Sequence, residues 1–197
     1  MCGRFYIESD DTPDELIELL NRAEGLGQRM DSSFRLPRGE VRPGDCAAVI
    51  AMNRAAKRTA FPMKWGFRMD KQLLINARSE TAATKPTFRE SMRDRRCLIP
   101  TSAYFEWDHR EKPLKKYCFG LPDAPVMYLA GLYRFEPDAP LPVFTVLTRE
   151  AAPEIACFHD RMPVILPPET HSLWLDRSVA PLPILDAART RLVWQAT

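Results

Sequence analysis

Apolar residues in this 197-residue chain recur mostly in short runs, and a few segments instead show the spacing of a helix. In TPDELIELLNRA (12–23), Leu16, Ile17, Leu19 and Leu20 form one apolar stripe, Thr12 suits the N-cap and Gly25 is a candidate end. Three shorter segments also predict helices: PTFRESMRD (86–94), PEIACF (153–158) and ETHSLWLD (169–176).

The other apolar runs are short, rich in β-branched and aromatic residues, and bounded by turn residues, which is typical of strands. They are CAAVIAM (46–52), LLINA (73–77), CLIPTSAYFEW (97–107), VMYLAGLYRF (126–135), VFTVLTRE (143–150) and MPVILP (162–167). This order of elements predicts an α+β fold with a mostly antiparallel core, barrel-like or a sandwich, and helices packed outside. No repeat or linker interrupts the chain, so we expect a single domain over residues 1–197.

Composition narrows the class of protein only a little. Hydrophobic residues make up 45% and charged residues 27%, and the net charge of +2 permits a nucleic-acid partner without demanding one. No apolar run reaches the ~20 residues of a membrane span, and no signal peptide is visible. The five cysteines are widely spaced, without a CxxC or Cys/His cluster. We therefore expect a cytoplasmic monomer, nucleoid-associated if bacterial, without metal, cofactor, disulfide framework or membrane partner.

Four stretches place polar residues in otherwise apolar surroundings. MCGRF carries Cys2, LLINARSET carries Asn76, CLIPTSAYFEWD carries Glu106 and HDRMPVIL carries His159. Each has an ordinary structural explanation: a ragged terminus, a capped strand end, a solvent-facing strand residue and a structural histidine. Cys2 is distinctive because removal of Met1 would leave an α-amine and a thiol on adjacent carbons. Glu106, between two aromatic residues, would have a raised pKa if it were buried and unpaired.

Basic and aromatic residues near these stretches suggest a nucleic-acid face. Arg4, Arg78 and Arg161 could contact phosphates, and Trp65 and Trp107 could stack on bases. The alternatives are a solvated charged face and core tryptophans.

Taken together, MCGRF, WGF (65–67), INARSET (75–81), CLIPTSAYFEW and HDRMPVIL resemble the SRAP family, the SOS response-associated peptidase domain. The resemblance implies a sensor and shield of abasic sites in single-stranded DNA, with autoproteolysis of whatever precedes the cysteine. It places the catalytic residues at Cys2, Asn76, Glu106 and His159. DNA contacts would fall on Arg4, Arg78, Trp65 and Trp107. The chain departs from the family at GEVRPGD (39–45), where members commonly have Asn-x-Ala-Pro.

The implied chemistry explains a cysteine at position 2. An amine forms an imine with the aldehyde of an abasic site, a lyase-like step, and the neighbouring thiol closes a five-membered thiazolidine. An α-amine has a pKa of ~7.7–8.0 against ~10.4 for lysine, so more of it is nucleophilic at neutral pH. We expect Arg4 to favour the thiolate, Glu106 to shuttle protons and His159 to act on the sugar hydroxyl. Asn76 would orient either the terminal amine or the aldehyde oxygen by hydrogen bonding. The alternatives are a thiol peptidase acting on other proteins and a noncovalent single-stranded DNA-binding module.

Overall fold

The computed structural model describes residues 2–7, 13–108, 110 and 112–197. The strands are β1 (Arg4–Ile7), β2 (Gly39–Val41), β3 (Cys46–Met52), β4 (Arg58–Trp65), β5 (Phe67–Met69), β6 (Gln72–Leu74), β7 (Asn76–Arg78), β8 (Arg96–Thr101), β9 (Ala103–Asp108), β10 (Lys115–Gly120), β11 (Met127–Arg134), β12 (Val143–Glu150), β13 (Arg161–Pro163) and β14 (Val193–Ala196). The helices are α1 (Asp14–Gln28), α2 (Ser79–Ala82), α3 (Pro86–Asp94), α4 (Pro153–Ala156), α5 (His171–Leu175) and α6 (Leu182–Leu185), with a 3₁₀ turn at Pro168–Thr170.

Five strands close on themselves into a barrel. Their order is β11-β8-β3-β4-β12, and β12 pairs again with β11, while β13 and β7 add to β12 from outside the ring. All of these pairings are antiparallel except β12 with β4 and β12 with β7. Closure hides the edges of the ring strands. The predicted α+β class with a mostly antiparallel, barrel-like core is confirmed.

A second, five-stranded antiparallel sheet in the order β14-β10-β9-β1-β2 lies against the barrel. Because side chains alternate along a strand, this sheet has two distinct faces. Phe5 of β1 and its partner Tyr104 of β9 are fully buried on the inner face. Phe5 reaches Trp65 of the barrel, with ring centroids 4.9 Å apart. The neighbouring pair, Arg4 and Phe105, lies on the outer face.

The segment predicted as one strand over 97–107 is two strands in different sheets. The chain leaves the barrel at the end of β8 and enters the second sheet at β9, with Ser102 between them. Thr101 Oγ1 and the Ser102 amide both donate to the carbonyl of Tyr6, at 2.7 and 2.9 Å. A continuous apolar run does not reveal this change of sheet, because both halves are buried. The run predicted over 73–77 is likewise split between β6 and β7.

Helix α1 is longer than predicted and continues past Gly25 to Gln28. Leu16, Leu20 and Ala23 face the core, and Gly27 lies against the ring of Phe34, which leaves no room for a side chain there. The predicted N-cap, Thr12, lies outside the described residues. Among the helices that the structure describes, none is long and apolar enough to cross a membrane.

Candidate active site and nucleic-acid interface

Cys2 is held firmly, unlike a frayed chain end. Its side chain is fully buried, and its carbonyl accepts a hydrogen bond from Asn76 Nδ2 at 2.9 Å. Its Sγ lies 3.9 Å from the carbonyl oxygen of Arg4, the first residue of β1. The structure therefore joins two residues that are 74 positions apart in the sequence and that were both predicted to be catalytic.

The position of Asn76 follows from the strand that carries it. β7 pairs in parallel with β12, with Asn76 opposite Val146, and the Ile75 carbonyl accepts hydrogen bonds from Val146 N and Trp65 Nε1, both at 3.0 Å. This backbone is fixed, so the amide side chain reaches β1 from a rigid base. Asn76 Oδ1 is buried and has no hydrogen-bond partner among the described residues. The amide thus holds Cys2 with one atom and keeps a second, acceptor atom beside it.

Glu106 brings a carboxylate to the same place from β9. It is 3% exposed, on the inner face of the five-stranded sheet. Burial and the charge of Glu106 together raise the pKa of the Cys2 thiol well above its ordinary value. The expectation that Arg4 makes Cys2 a thiolate is therefore wrong. The Arg4 guanidinium points to the outer face and binds Glu40, so the thiol keeps its proton at neutral pH.

His159 lies in the loop between α4 and β13. Its Nδ1 is 3.0 Å from the Arg161 amide nitrogen and 2.6 Å from Asp160 Oδ1. These contacts require opposite protonation of Nδ1, which must accept from the amide but donate to the carboxylate. The amide contact fixes the ring, because it belongs to the backbone, whereas the Asp160 side chain is 79% exposed and its ion pair is weak.

The His159 loop packs against the inner face that carries Glu106. Phe158 contacts the ring of Tyr117 at 4.7 Å, and Tyr117 is the strand partner of Glu106. Phe158 also meets Phe119 at 5.2 Å. The aromatic contact thus brings the histidine segment and the carboxylate strand to one side of the molecule.

Arg161 does not present its guanidinium to a ligand. It makes two hydrogen bonds of 2.8 Å to Glu80 and one of 2.7 Å to the Thr148 carbonyl, and its side chain is only 12% exposed. The prediction of a DNA contact at Arg161 is corrected to a bracing role, in which it ties α2 to β12 beside His159. Sequence analysis missed Glu80, whose pKa this hydrogen bond holds below its ordinary range.

Trp65 is a core residue. It is fully buried, 4.9 Å from Phe5 and stacked on Phe144 at 6.1 Å, with its Nε1 bonded to the Ile75 carbonyl. The prediction that Trp65 stacks on bases is wrong, because no face of the indole reaches the surface. The alternative reading of a core tryptophan holds here.

The outer face of the five-stranded sheet carries three cations around the carboxylate of Glu40. One is the exposed Arg42, whose Nε lies 3.5 Å from Oε1. Arg4 and Lys116 both bind Glu40, and both lie over the ring of Trp107, at 5.5 and 5.6 Å. Burial alone would raise the pKa of Glu40, but hydrogen bonds from Lys116 and Arg4 outweigh it and hold the pKa below its ordinary value. Trp107 itself is half-buried. Sequence analysis missed Lys116 and Glu40, although strand alternation in β10 could have flagged Lys116.

Next to this cluster, a groove of about 750 Å³ runs along the outer face. Tyr6, Phe105 and Cys118 form part of its floor. Arg78 is exposed and lies on the same face of β7 as Asn76. Within the described residues it forms no ion pair, so its charge is available to a ligand.

Comparison with known proteins agrees with this geometry. The family model of the SOS response associated peptidase (SRAP) matches residues 1–192. The chain belongs to the SRAP family. The match ends just before β14, so the outermost strand of the five-stranded sheet lies beyond it.

Curated SRAP relatives carry a common name. The abasic site processing protein YoqW of Bacillus subtilis is 30% identical over 187 residues, covering 89% of this chain and 80% of the relative. The abasic site processing protein YMR114C of Saccharomyces cerevisiae is 32% identical over 205 residues, covering 89% of this chain and 55% of the relative.

Solved structures share the SRAP fold seen here. A protein of Bordetella bronchiseptica superposes with a TM-score of 0.76 at 24% identity, covering 100% of this chain and 99% of that one. A protein of Bacteroides thetaiotaomicron superposes with a TM-score of 0.76 at 21% identity, covering 99% and 91%. At these identities the likeness establishes the fold.

Proposed function

We propose that this SRAP protein senses and shields abasic sites in single-stranded DNA by bonding covalently to them through Cys2. Family membership and the names of the curated relatives support abasic-site processing. The observation that carries the covalent step is the hydrogen bond from Asn76 to the Cys2 carbonyl, with Cys2 buried beside Glu106. If Cys2 had only a structural role at the N-terminus, burial of its thiol next to a carboxylate would not stabilise the fold.

The first half of the reaction makes an imine. Removal of Met1 creates the α-amine of Cys2, and Asn76 Oδ1 is the buried acceptor that would orient it. The amine nitrogen adds to the aldehyde carbon of the ring-opened sugar, and the carbonyl oxygen becomes a hydroxyl. Glu106 then protonates this hydroxyl, water leaves, and the carbon–nitrogen double bond forms as an iminium that keeps its N–H proton.

The second half closes the thiazolidine. The Cys2 sulfur bonds to the iminium carbon, and the electron pair of the carbon–nitrogen double bond returns to the nitrogen, which keeps its N–H. Because the thiol is protonated at rest, this step needs a base, and the Glu106 carboxylate left after the first half fits that role. Thiol and amine belong to one residue, so ring closure is intramolecular and its effective concentration is high.

The remaining site residues bind and open the sugar. His159, held through Nδ1 by the Arg161 amide, would present Nε2 to the sugar hydroxyl and favour the ring-opened aldehyde. Arg78 and the Arg4–Lys116 pair would contact phosphates, with Trp107 available for stacking. Phosphate contacts and stacking carry little sequence information, so binding would be independent of sequence and would favour unstacked strands.

We further propose that the protein removes its own Met1, by hydrolysis of the Met1–Cys2 peptide bond at the expense of one water molecule. A peptidase acting on other proteins is less well supported, because peptide hydrolysis by a thiol does not need a free α-amine on the same residue and removal of Met1 takes only one turnover. A single domain, a monomeric state and a cytoplasmic location remain predictions from the sequence.

The experiment mixes purified protein with single-stranded DNA that carries one abasic site and resolves the products on a denaturing gel. Mass spectrometry of the N-terminus measures the fraction of chains that have lost Met1. We expect a denaturation-resistant band whose yield does not exceed that fraction.

Three controls define the result. Cys2→Ala and undamaged DNA should give no band, and a chain carrying an extra, uncleaved residue before Cys2 should give none either. If fully processed wild-type protein gives no band, the proposed covalent function is wrong, and a thiol peptidase and a noncovalent DNA-binding module are the functions left to test. A band that survives Cys2→Ala would place the reactive group elsewhere.

A further inference from the structure

Tyr104 occupies a position in the site that sequence analysis did not single out. It lies in β9 two residues before Glu106, so both side chains project from the inner face of the five-stranded sheet. Tyr104 is opposite Phe5 of β1 and stacks on Phe119, with ring centroids 5.0 Å apart and planes 14° apart. The side chain is fully buried. Packing therefore fixes the ring, and with it the direction of the hydroxyl.

The Tyr104 hydroxyl is buried without a hydrogen-bond partner among the described residues. Tyr128, another largely buried tyrosine, shows the usual arrangement, because its hydroxyl donates to Glu15 Oε1 at 2.5 Å. An unpaired buried hydroxyl lowers stability, and phenylalanine would fill the same ring position without that cost. The hydroxyl at Tyr104 thus has no structural justification.

The groups that act electrostatically on the Tyr104 hydroxyl, Cys2 and Glu106, are those that react in the proposed function. Burial raises the pKa of Tyr104 well above its ordinary value, and the charges of Cys2 and Glu106 raise it further. The phenol therefore stays protonated and can act only as a hydrogen-bond donor or a neutral acceptor. Tyr104 also projects from the same face of β9 as Glu106, so its hydroxyl is a donor on the side of the sheet where the aldehyde reacts in the proposed function.

We infer that the Tyr104 hydroxyl donates a hydrogen bond to the aldehyde oxygen of the abasic sugar, an inference that rests on the proposed function. When the Cys2 nitrogen attacks, the carbon–oxygen double bond becomes single and negative charge builds on the oxygen. A preorganised donor stabilises that charge in a site without bulk water. Glu106 supplies the proton that converts the oxygen to departing water. Tyr104 keeps its own proton throughout, so the step needs no further reactant.

Tyr104→Phe is a sharp test because it removes one oxygen atom and leaves the ring packing unchanged. We expect the crosslinking rate at saturating abasic DNA to fall about 10- to 100-fold, by analogy with the loss of one oxyanion donor. The DNA concentration giving half the maximal rate, and the affinity for undamaged single strands, should stay at wild-type values. The melting temperature should rise by about 2–4 °C, because an unpaired buried hydroxyl is gone.

Tyr133→Phe, a half-buried tyrosine on the barrel strand β11, is the matched control and should crosslink at the wild-type rate. A wild-type rate in Tyr104→Phe would overturn the inference, and so would a rate loss accompanied by a lower melting temperature and weaker DNA affinity. If the wild-type protein itself forms no crosslink, the proposed function fails, and this inference falls with it. Because the melting temperatures do not depend on crosslinking, they still report whether the hydroxyl is unpaired.

Discussion

The two faces of the five-stranded sheet are built from the same strands but have opposite physical chemistry. On the inner face, Tyr104 and Glu106 are buried, and the adjacent Cys2 thiol keeps its proton because burial and a nearby carboxylate disfavour the anion. On the outer face, Arg4 and Lys116 are half-exposed and paired with Glu40. One residue along a strand separates the two environments.

The comparison shows why each face suits a different task. Bond formation needs groups whose protonation is set by their neighbours, in a place where water does not compete. Recognition of a strand needs charges that remain ionised and can exchange one partner for another. We therefore expect changes on the inner face to alter rate and changes on the outer face to alter affinity.

Glu106→Gln should have the largest effect and would test the inner face most directly. Loss of the proton donor and acceptor should slow crosslinking by about 10²- to 10⁴-fold, the range for a general acid–base residue. Gel time courses measure this rate, and Glu18→Gln on the exposed side of α1 is the control. Affinity for undamaged single strands should be unchanged. An equal loss of rate and affinity would refute the assignment.

Arg78→Ala should have the second-largest effect, on the affinity for single-stranded DNA. Loss of one phosphate contact should weaken binding about tenfold and reduce the slope of log K against log salt by about one. Fluorescence anisotropy at several salt concentrations measures both quantities. Arg161→Ala is the contrasting variant, since its guanidinium is committed to Glu80, and it should leave the salt slope unchanged while lowering the melting temperature. A changed slope in Arg161→Ala alone would reverse the two roles.

Glu40→Gln should have a smaller effect of the opposite sign. Removing the carboxylate charge releases Arg4 and Lys116 for phosphate, so affinity should rise about two- to tenfold and salt dependence should steepen. The same anisotropy titration measures it, and the crosslinking rate at saturating DNA should not change. Weaker binding would show that Glu40 is needed to hold Arg4 in place.

Glu80 should contribute the smallest effect, on stability at low pH. The hydrogen bond from Arg161 lowers the pKa of Glu80 in the folded protein. The ionised carboxylate therefore stabilises the fold at a pH above the pKa of an unfolded glutamate, about 4.3. This stabilisation is lost as the pH falls through the pKa of the folded state. Because the side chain is half-exposed, water weakens the effect. Melting temperatures at pH 7 and pH 3 should differ less in Glu80→Gln than in wild type. An unchanged difference would assign the acid sensitivity to other carboxylates, Glu40 among them.

Much of the fold could be predicted wherever one segment stays in one environment. The bounds predicted for the strands at 46–52 and 143–150 and for the helix at 86–94 are those of β3, β12 and α3. Prediction failed where the chain changes environment without changing composition, as at Ser102 between β8 and β9. It also failed at Gly25, since tertiary packing of α1 overrides the low helix propensity of glycine.

The candidate site was predictable in part for a related reason. Cys2 and Asn76, which resemblance pointed to, do meet in space. Trp65 and Arg161 were assigned to DNA because side-chain type alone does not say whether an indole is buried or a guanidinium is already paired. Tyr104 was missed because a tyrosine in an apolar strand is usually a core residue. Only the structure shows that its buried hydroxyl has no hydrogen-bond partner among the described residues.

The sequence by itself determined the class of the fold, the family and the residue types that the chemistry needs, because these depend on local patterns and on motifs in a given order. Only the tertiary structure decided that the Cys2 thiol is protonated, that Glu40 holds Arg4 and Lys116 together, and that Trp65 lies in the core. Protonation, pairing and burial depend on the distances between residues far apart in the chain, and those distances exist only once the barrel and the second sheet have packed together.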